Sequence, residues 1–230
     1  MNTNENLLAN AIDSEKAEFY KQTYLHVAMA VLAFVFVESL LIQVLPVEVI
    51  FGMLNSKLTW LLILGLFWLG SMLSNKLVFH ENRNVQYAGL AFFVMIEAII
   101  FLPMIYVASV TVSSDNVLLQ AAILTLCMFG GLTFIAFSTK KDLSFMRSIL
   151  VMAAFLSLGL IVLGAIFGFE LGLWFSVLMV LIASGSILYQ TQQIKNVYGT
   201  DQYVGAALQL FASVMLLFWY ILRILLRARR

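Results

Sequence analysis

The sequence predicts an all-helical integral membrane protein in which seven transmembrane helices form one bundle. Hydrophobic residues make up 63% of the 230 residues and charged residues only 11%, with a mean hydropathy of +0.99. Soluble domains carry about 25% charged residues, and a water-soluble chain of this size could not bury so much apolar surface. The bilayer is therefore the expected solvent, and lipid the expected first partner.

Seven apolar segments are long enough to span a membrane, since a spanning helix needs about 20 residues that rise roughly 1.5 Å each. They are residues 23–45, 57–75, 85–108, 117–138, 146–168, 171–192 and 203–226. The joints between them are short and polar, and none is long enough to form a soluble module. The chain therefore divides into a polar N-terminal tail, residues 1–22, and one seven-helix transmembrane domain, residues 23–230.

The tail, residues 1–22, is polar and mildly acidic. It lacks the basic start, the apolar middle and the small-residue cleavage site of a signal peptide. We therefore expect the tail to be retained, as a short helix or as a disordered arm. The first apolar segment is then the insertion signal.

Lysine and arginine residues near the span ends indicate the orientation, because these cations accumulate in cytoplasmic loops. With a cytoplasmic N-terminus, the inner side collects Lys16, Lys21, Lys76, Arg83, Lys140, Lys141, Arg147 and Lys195. The outer loops hold only Lys57. Seven spans then place Arg227, Arg229 and Arg230 outside, against the rule. The sequence favours an inner N-terminus and an outer C-terminus; in the alternative, the last segment re-enters and returns the tail to the inner side.

Three ionisable residues stand out within the predicted spans, where such side chains are expensive and indicate function. Glu38 in the first span and Glu97 in the third are expected within about 4 Å in depth. The two carboxyls could share a proton or offer oxygen ligands to a cation. Alternatively, each is protonated and hydrogen-bonded, or opens towards the outer water. Arg223, near the outer third of the last span, either pairs with one of them or snorkels to the outer surface.

The chemical inventory argues against an enzyme and against a metal site. A single cysteine, Cys127, excludes an internal disulfide, and neither His26 nor His80 has a second histidine at metal-ligand spacing. No aspartate lies in any predicted span, which excludes aspartyl intramembrane proteolysis. We therefore expect no catalytic residue, no resident cofactor and no metal. The net charge of +1 gives no reason to expect a nucleic acid partner.

Small residues cluster within several spans, as in Gly164-xxx-Gly168 and in the run Ala183-Ser184-Gly185-Ser186. Such clusters allow helices to approach closely. The close contacts are either inside the bundle or at a dimer interface. The expected state is a monomer or a weak homo-oligomer.

Among the polar residues of the last two spans, Gln190 lies in ILYQTQQI (187–194) and Ser213 in ALQLFASVMLLFWYILRIL (207–225). With YKQTYLHVAMAVLAF (20–34) and STKKDLSFM (138–146), these stretches resemble the Bax inhibitor-1 family of seven-helix membrane proteins. Any one stretch is a modest signal. Four of them in the right order on seven spans are specific to that family.

The resemblance implies two functions. In many members an Asp occupies each of the two hairpin positions, and the pair implies a proton-sensitive latch over a calcium leak path. The bacterial YccA branch, which carries a Ser at the second position, implies binding to the membrane-anchored AAA protease FtsH through the N-terminal tail. Here Gln190 and Ser213 can hydrogen-bond to each other, but they cannot titrate or coordinate a hard cation.

The sequence therefore predicts a non-enzymatic, multi-pass protein of the bacterial inner membrane. Its first predicted role is to modulate membrane-protein quality control by contact with a membrane AAA protease. The alternative is a calcium or cation leak, pH-sensitive or pH-insensitive. In that alternative, Glu38 and Glu97 are the candidate ligands of a transient Ca²⁺.

Overall fold

The computed structural model describes Leu8 and residues 11–55, 57–111, 116–139 and 141–229. These residues form eight α-helices and no strand: α1 (Asp13–Val44), α2 (Val47–Asn55), α3 (Lys57–Val78), α4 (Arg83–Thr111), α5 (Val117–Ser138), α6 (Met146–Phe167), α7 (Gly172–Asn196) and α8 (Tyr203–Ala228). All except α2 are long and apolar enough to cross a membrane, which makes seven spans. The predicted seven-helix membrane bundle is confirmed.

Helix α1 begins earlier than the predicted first span, at Asp13. Acidic residues in its first turn, Asp13 and Glu15, lie where a negative charge interacts favourably with the helix dipole. The helix ends at Val44 because Pro46 follows, and a proline disfavours helical geometry at the residue before it. Part of the predicted tail therefore continues the first span as a helix. Residues 1–7, 9 and 10 of that tail lie outside the described residues.

Helix α2 occupies the joint that the sequence analysis treated as a simple connection. It starts directly after Pro46, whose carbonyl accepts the backbone N–H of Val49 at 3.0 Å. Nine residues give it a length of about 14 Å, too short to span. A short apolar stretch beside a membrane forms a helix because its backbone polar groups are then satisfied internally.

The two described chain ends lie at opposite ends of the bundle. At the N-terminal end, the backbone N–H of Leu8 donates to the carbonyl of Tyr198, between α7 and α8, at 2.9 Å. At the C-terminal end, Arg227 pairs with Glu170 of the α6–α7 connection at 3.5 Å, and Arg229 donates to a glutamine in the first turn of α5. Helix α8 therefore runs the whole length of the bundle.

Helix α8 is the centre of the bundle, and α6 lies at its edge. Helix α8 packs against α1, α3, α4, α5 and α7, and it buries large side chains such as Leu210, Phe211 and Leu217. Helix α6 packs against α7 and, to a smaller extent, against α3. Of its described residues only Ser157 and Gly164 are buried. Most of its apolar surface therefore faces lipid.

The close approach of α3 and α4 at the N-terminal end depends on Gly89. A Cβ added there would lie 2.7 Å from the Cβ of Leu77 and 3.1 Å from the backbone nitrogen of Val78. By contrast, a Cβ added at Gly65 on α3 would meet no atom within 4 Å. The bundle is therefore tightly packed at the α3–α4 corner and open around Gly65.

The Gly164-xxx-Gly168 pattern has a different role from the helix contact considered for it. Gly168 ends α6 in the left-handed conformation, with φ of 77°, and its backbone N–H donates to the carbonyl of Gly164 at 2.8 Å. A Cβ added at Gly164 would lie 3.2 Å from the carbonyl of Phe169, in the chain that follows. Both glycines therefore serve the end of their own helix, as glycine commonly does.

Candidate functional site

The α7–α8 hairpin is held by a pair of hydroxyl groups. Ser213, buried on α8, has its Oγ 2.8 Å from Oγ of Ser186 on α7 and 3.1 Å from the carbonyl of Gln209. A serine hydroxyl donates once and accepts twice. Ser213 therefore donates to the Gln209 carbonyl and accepts from Ser186. This pair is neutral and fully hydrogen-bonded.

The hydrogen bond expected between Gln190 and Ser213 is not formed. Gln190 is half-buried, and its amide has no hydrogen bond to another residue in the described part of the chain. It lies four residues after Ser186, which puts both on the same side of α7 but one turn apart. Ser186 is the residue level with Ser213. From the sequence, Ser186 belongs to a run of small residues and was not predicted as the partner of Ser213.

A second polar contact joins α8 to α3, which lies outside the α7–α8 hairpin. The side-chain amide of Gln209 donates to Oδ1 of Asn75 at 2.5 Å. Gln209 and Ser213 are four residues apart, so they lie on neighbouring turns of α8. Helix α8 is thus held to two neighbours by uncharged side chains at this depth.

The motif STKKDLSFM is fixed to α7 by a single glutamine. Oε1 of Gln192 accepts the backbone N–H of Leu143 at 2.7 Å, and Nε2 donates to the carbonyl of Lys141 at 2.6 Å. Asp142 between them accepts the backbone N–H and the hydroxyl of Ser144. These hydrogen bonds lower the pKa of the Asp142 carboxyl. Two of the family-like motifs are therefore one structural unit.

Lys195, near the end of α7, closes the end of α5. Its ammonium group donates to three backbone carbonyls at 3.0–3.3 Å, those of Ala136, Phe137 and Thr139. The last carbonyls of a helix lack partners within the helix and carry partial negative charge. Lys195 therefore stabilises the C-terminal end of α5. It also holds the α7–α8 hairpin to α5 close to the connection between the two hairpin helices.

The two buried glutamates lie on adjacent parallel helices. Glu38 on α1 is 4% exposed and Glu97 on α4 is 5% exposed. Two aromatic pairs give the register of α1 against α4: His26 with Tyr87 and Phe34 with Phe101. By these contacts Glu38 is level with residues 99–105 of α4, which lie two to eight residues beyond Glu97. The depths of the two carboxyls along the bundle therefore differ by about 3–12 Å.

No hydrogen bond joins the two carboxyls. Both oxygens of Glu38, and Oε2 of Glu97, are buried without a partner among the described residues. The shared proton considered from the sequence is therefore absent from this arrangement. A buried carboxyl without partners is costly in its charged form. An intramembrane acid of this kind marks a site for a proton, a water molecule or a ligand.

Glu97 lines a cleft of about 590 Å³ that lies between α3 and α6, with α4 and α8 as its floor. Arg223 of α8 lines the same cleft and forms no ion pair with any described residue. Two aromatic pairs give the register of α4 against α8: Phe93 with Phe211 and Phe101 with Trp219. Residue 97 is therefore level with residue 215, and Arg223 lies about 12 Å further towards the C-terminal end. Of the two alternatives considered for Arg223, an ion pair with Glu38 or Glu97 is not formed.

These features define a polytopic membrane protein of the seven-helix type, with a polar hairpin between its last two helices. Over residues 16–230 the chain matches the family described as inhibitor of apoptosis-promoting Bax1. The chain therefore belongs to the Bax inhibitor-1 family, as the four sequence stretches had indicated.

Two relatives are similar to parts of this chain. It is 29% identical to Protein LIFEGUARD 4 of Arabidopsis thaliana over 221 residues, which cover 90% of this chain and 83% of the relative. It is 32% identical to an uncharacterised protein of Pseudomonas aeruginosa over 113 residues. That match spans 49% of this chain and about half, 50%, of the relative.

Proposed function

We propose that this protein acts by binding other membrane proteins, with a membrane-anchored AAA protease of the FtsH type as its partner, and so modulates membrane-protein quality control. The observation that carries the proposal is the neutral Ser186–Ser213 pair. It occupies the hairpin where many members of the family carry acids. A pair of hydroxyl groups does not titrate near neutral pH, which favours a binding role over a proton-gated path.

In this proposal the protein lies in a bacterial inner membrane with the N-terminal end of the bundle towards the cytoplasm. The distribution of Lys and Arg supports this orientation. The N-terminal tail is the contact for the protease. Leu8 is fully buried, and its backbone N–H donates to the carbonyl of Tyr198. The residue that follows the proposed contact segment therefore lies next to the α7–α8 connection.

The test is a short deletion. Removal of residues 2–22 would take away the start of α1, including the buried Phe19, and would confuse binding with folding. Deletion of residues 2–7 leaves Leu8 and α1 in place. We expect this variant to lose co-purification with the protease from membranes, while calcium flux in liposomes stays at the wild-type level. A variant with residues 2–7 in scrambled order serves as the length control.

The proposal is contradicted if the deletion leaves co-purification unchanged. A deletion that changes liposome flux but not co-purification would support the leak function instead.

A calcium or cation leak is the second candidate, and Glu97 favours it because its carboxyl lines the cleft without a partner for Oε2. A carboxylate in this position is a suitable ligand for a transient hard cation. Glu97→Gln is then expected to abolish liposome flux of Ca²⁺. The double variant Gln190→Asp with Ser213→Asp is expected to add a pH dependence that the wild type lacks. A steep wild-type response near neutral pH that survives Glu97→Gln and Glu38→Gln would contradict this assignment.

A further inference from the structure

The cleft between α3 and α6 has apolar walls and a charged mouth. Its walls are formed by aromatic and aliphatic side chains such as Trp60, Phe67, Ile161, Met179 and Trp219. The two helices that flank it make little contact with each other, and most of α6 faces lipid. The cleft is of ordinary size for a ligand site, which takes about 300–1,000 Å³. It therefore offers bilayer lipid a lateral way in.

One positive charge at the mouth is not neutralised. Glu170 and Arg227 lie at the C-terminal end of the cleft and pair with each other at 3.5 Å. Arg223, one turn deeper on α8, is half-buried and lines the cleft without an ion pair to any described residue. A half-buried guanidinium between membrane helices attracts an anion. Basic pockets between membrane helices bind the head groups of anionic lipids.

We propose that the cleft binds one anionic phospholipid, with its phosphate at Arg223 and one acyl chain between α3 and α6. The charge of Arg223 selects the anionic head group, and the apolar walls select a chain over a soluble anion. The chain runs from the mouth towards Glu97, about 12 Å deeper. This site does not include the Ser186–Ser213 pair or the tail, and it does not depend on the proposed protease contact.

The test counts the lipids that stay bound to the purified protein. Wild-type protein is reconstituted in nanodiscs with equal amounts of phosphatidylglycerol and phosphatidylcholine, released into mild detergent and measured by native mass spectrometry. One Lys or Arg at a lipid head group contributes roughly a fivefold preference for the anionic lipid. We therefore expect about fivefold more phosphatidylglycerol than phosphatidylcholine on the wild type. Arg223→Gln should reduce that ratio to about one.

Two variants control for charge in general. Arg229→Gln removes a charge of the same sign at the C-terminal end, outside the cleft lining, and should leave the lipid ratio unchanged. Arg223→Lys keeps the charge and should keep most of the preference. Equal ratios for wild type and Arg223→Gln would overturn the proposal.

A second pair of variants tests the acyl chain and does not depend on the folding of Arg223→Gln. Ser157 of α6 lines the cleft, whereas Gly159 on the same helix has no atom within 4 Å of an added Cβ. Ser157→Phe should fill the cleft and lose both lipids, while Gly159→Phe should retain them at the wild-type level. Equal lipid retention by these two variants would overturn the proposal.

A soluble competitor distinguishes a lipid from a free phosphate. Excess glycerol phosphate should leave the bound phosphatidylglycerol in place, because it cannot occupy the apolar cleft. Displacement by glycerol phosphate would show that the phosphate alone binds, and the acyl-chain assignment would then be wrong. Glu97→Gln, which keeps the shape of the deep end without a charge, should retain the lipid.

Discussion

The α7–α8 hairpin and the α3–α6 cleft treat their polar groups in opposite ways. Ser186 and Ser213 satisfy each other within the hairpin. Glu97 is level with residue 215, about 3 Å in depth from Ser213, yet one of its oxygens is buried without a partner. The contact between the two serines therefore stabilises the hairpin without a charge. In the cleft, Glu97 and Arg223 form no ion pair with any described residue, which is the arrangement expected of a ligand site rather than of a structural one.

Packing follows the same division. At the N-terminal end, Gly89 lets α4 approach Leu77 and Val78 of α3 closely. Further along α3, a Cβ added at Gly65 would meet no atom within 4 Å. The α3–α4 pair is thus closely packed at this end and again at Gly70, where an added Cβ would lie 2.9 Å from Cδ1 of Ile96, whereas Gly65 faces open space. The cleft beside Trp60, Leu64 and Phe67 of α3 is where a further molecule has room.

The largest expected effect on stability comes from adding a methyl group at the closely packed α3–α4 corner. Gly89→Ala places a Cβ 2.7 Å from Cβ of Leu77, so that the α3–α4 corner must shift. Overpacking of this kind costs about 1–3 kcal/mol. The midpoint of unfolding in mixed detergent micelles should fall accordingly. Gly65→Ala is the matched control, and it should be neutral or stabilising by about 0.5–1 kcal/mol, because alanine favours a helix over glycine. Equal midpoints for both variants would contradict the proposed difference in packing.

The next effect concerns Tyr198, in the connection between α7 and α8. Its ring stacks on Phe79, and burial raises its pKa to about 12. The ordinary pKa is about 10, so the unfolded chain loses this proton at a lower pH than the folded protein does. The stabilisation is complete below pH 10 and is lost as the pH rises from about 10 to about 12, at no more than roughly 1.4 kcal/mol per pH unit.

Tyr198→Phe removes this titration. Its stability curve should be flatter than that of the wild type over the same alkaline range, which denaturant titrations at several pH values would measure. Parallel curves for the two proteins would show that Tyr198 ionises equally in the folded and unfolded states.

A smaller effect is expected from the hydroxyl pair. Hydrogen bonds between membrane helices contribute on average about 0.6 kcal/mol. A double-mutant cycle of Ser186→Ala and Ser213→Ala should give a coupling energy of that size, measured as unfolding free energy in mixed micelles. The same cycle with Gln190→Ala in place of Ser186→Ala should give a coupling near zero. A coupling of Ser213 to Gln190 rather than to Ser186 would restore the pairing expected from the sequence.

Hydropathy sufficed to predict the seven spans because each spanning helix must satisfy its own backbone in lipid. Helix α2 was missed because nine residues are too few for that signal. The partner of Ser213 could not be read from spacing, because the register between two helices depends on the geometry of their connection. Ser186 and Gln190 are one turn apart, and a shift of that size exchanges one for the other.

The cleft could not be predicted from the sequence either. Glu97 and Arg223 were recognised as ionisable residues inside spans, and their depths followed from the segment boundaries. The space between them depends on α6 lying at the edge of the bundle, where it makes little contact with α3. The sequences of two apolar helices do not indicate how far apart the helices pack. The ionisable residues within the spans therefore indicated where a site could lie, whereas the volume of the cleft depends on how the helices pack.

The smallest expected change in stability concerns Glu97, which lines the cleft. Glu97→Gln keeps the size of the side chain and removes the acid. Since Oε2 of Glu97 has no partner among the described residues and no ion pair joins Glu97 to Arg223, the substitution breaks no described contact that stabilises the bundle. The unfolding free energy at pH 7 should change by less than about 0.5 kcal/mol, the range of substitutions that disturb no such feature. Ser213→Ala, at nearly the same depth, should be the more damaging of the two. A loss above about 1 kcal/mol in Glu97→Gln would mean that the carboxyl has a structural partner, and Glu97 would then belong with the hairpin serines rather than with a ligand site.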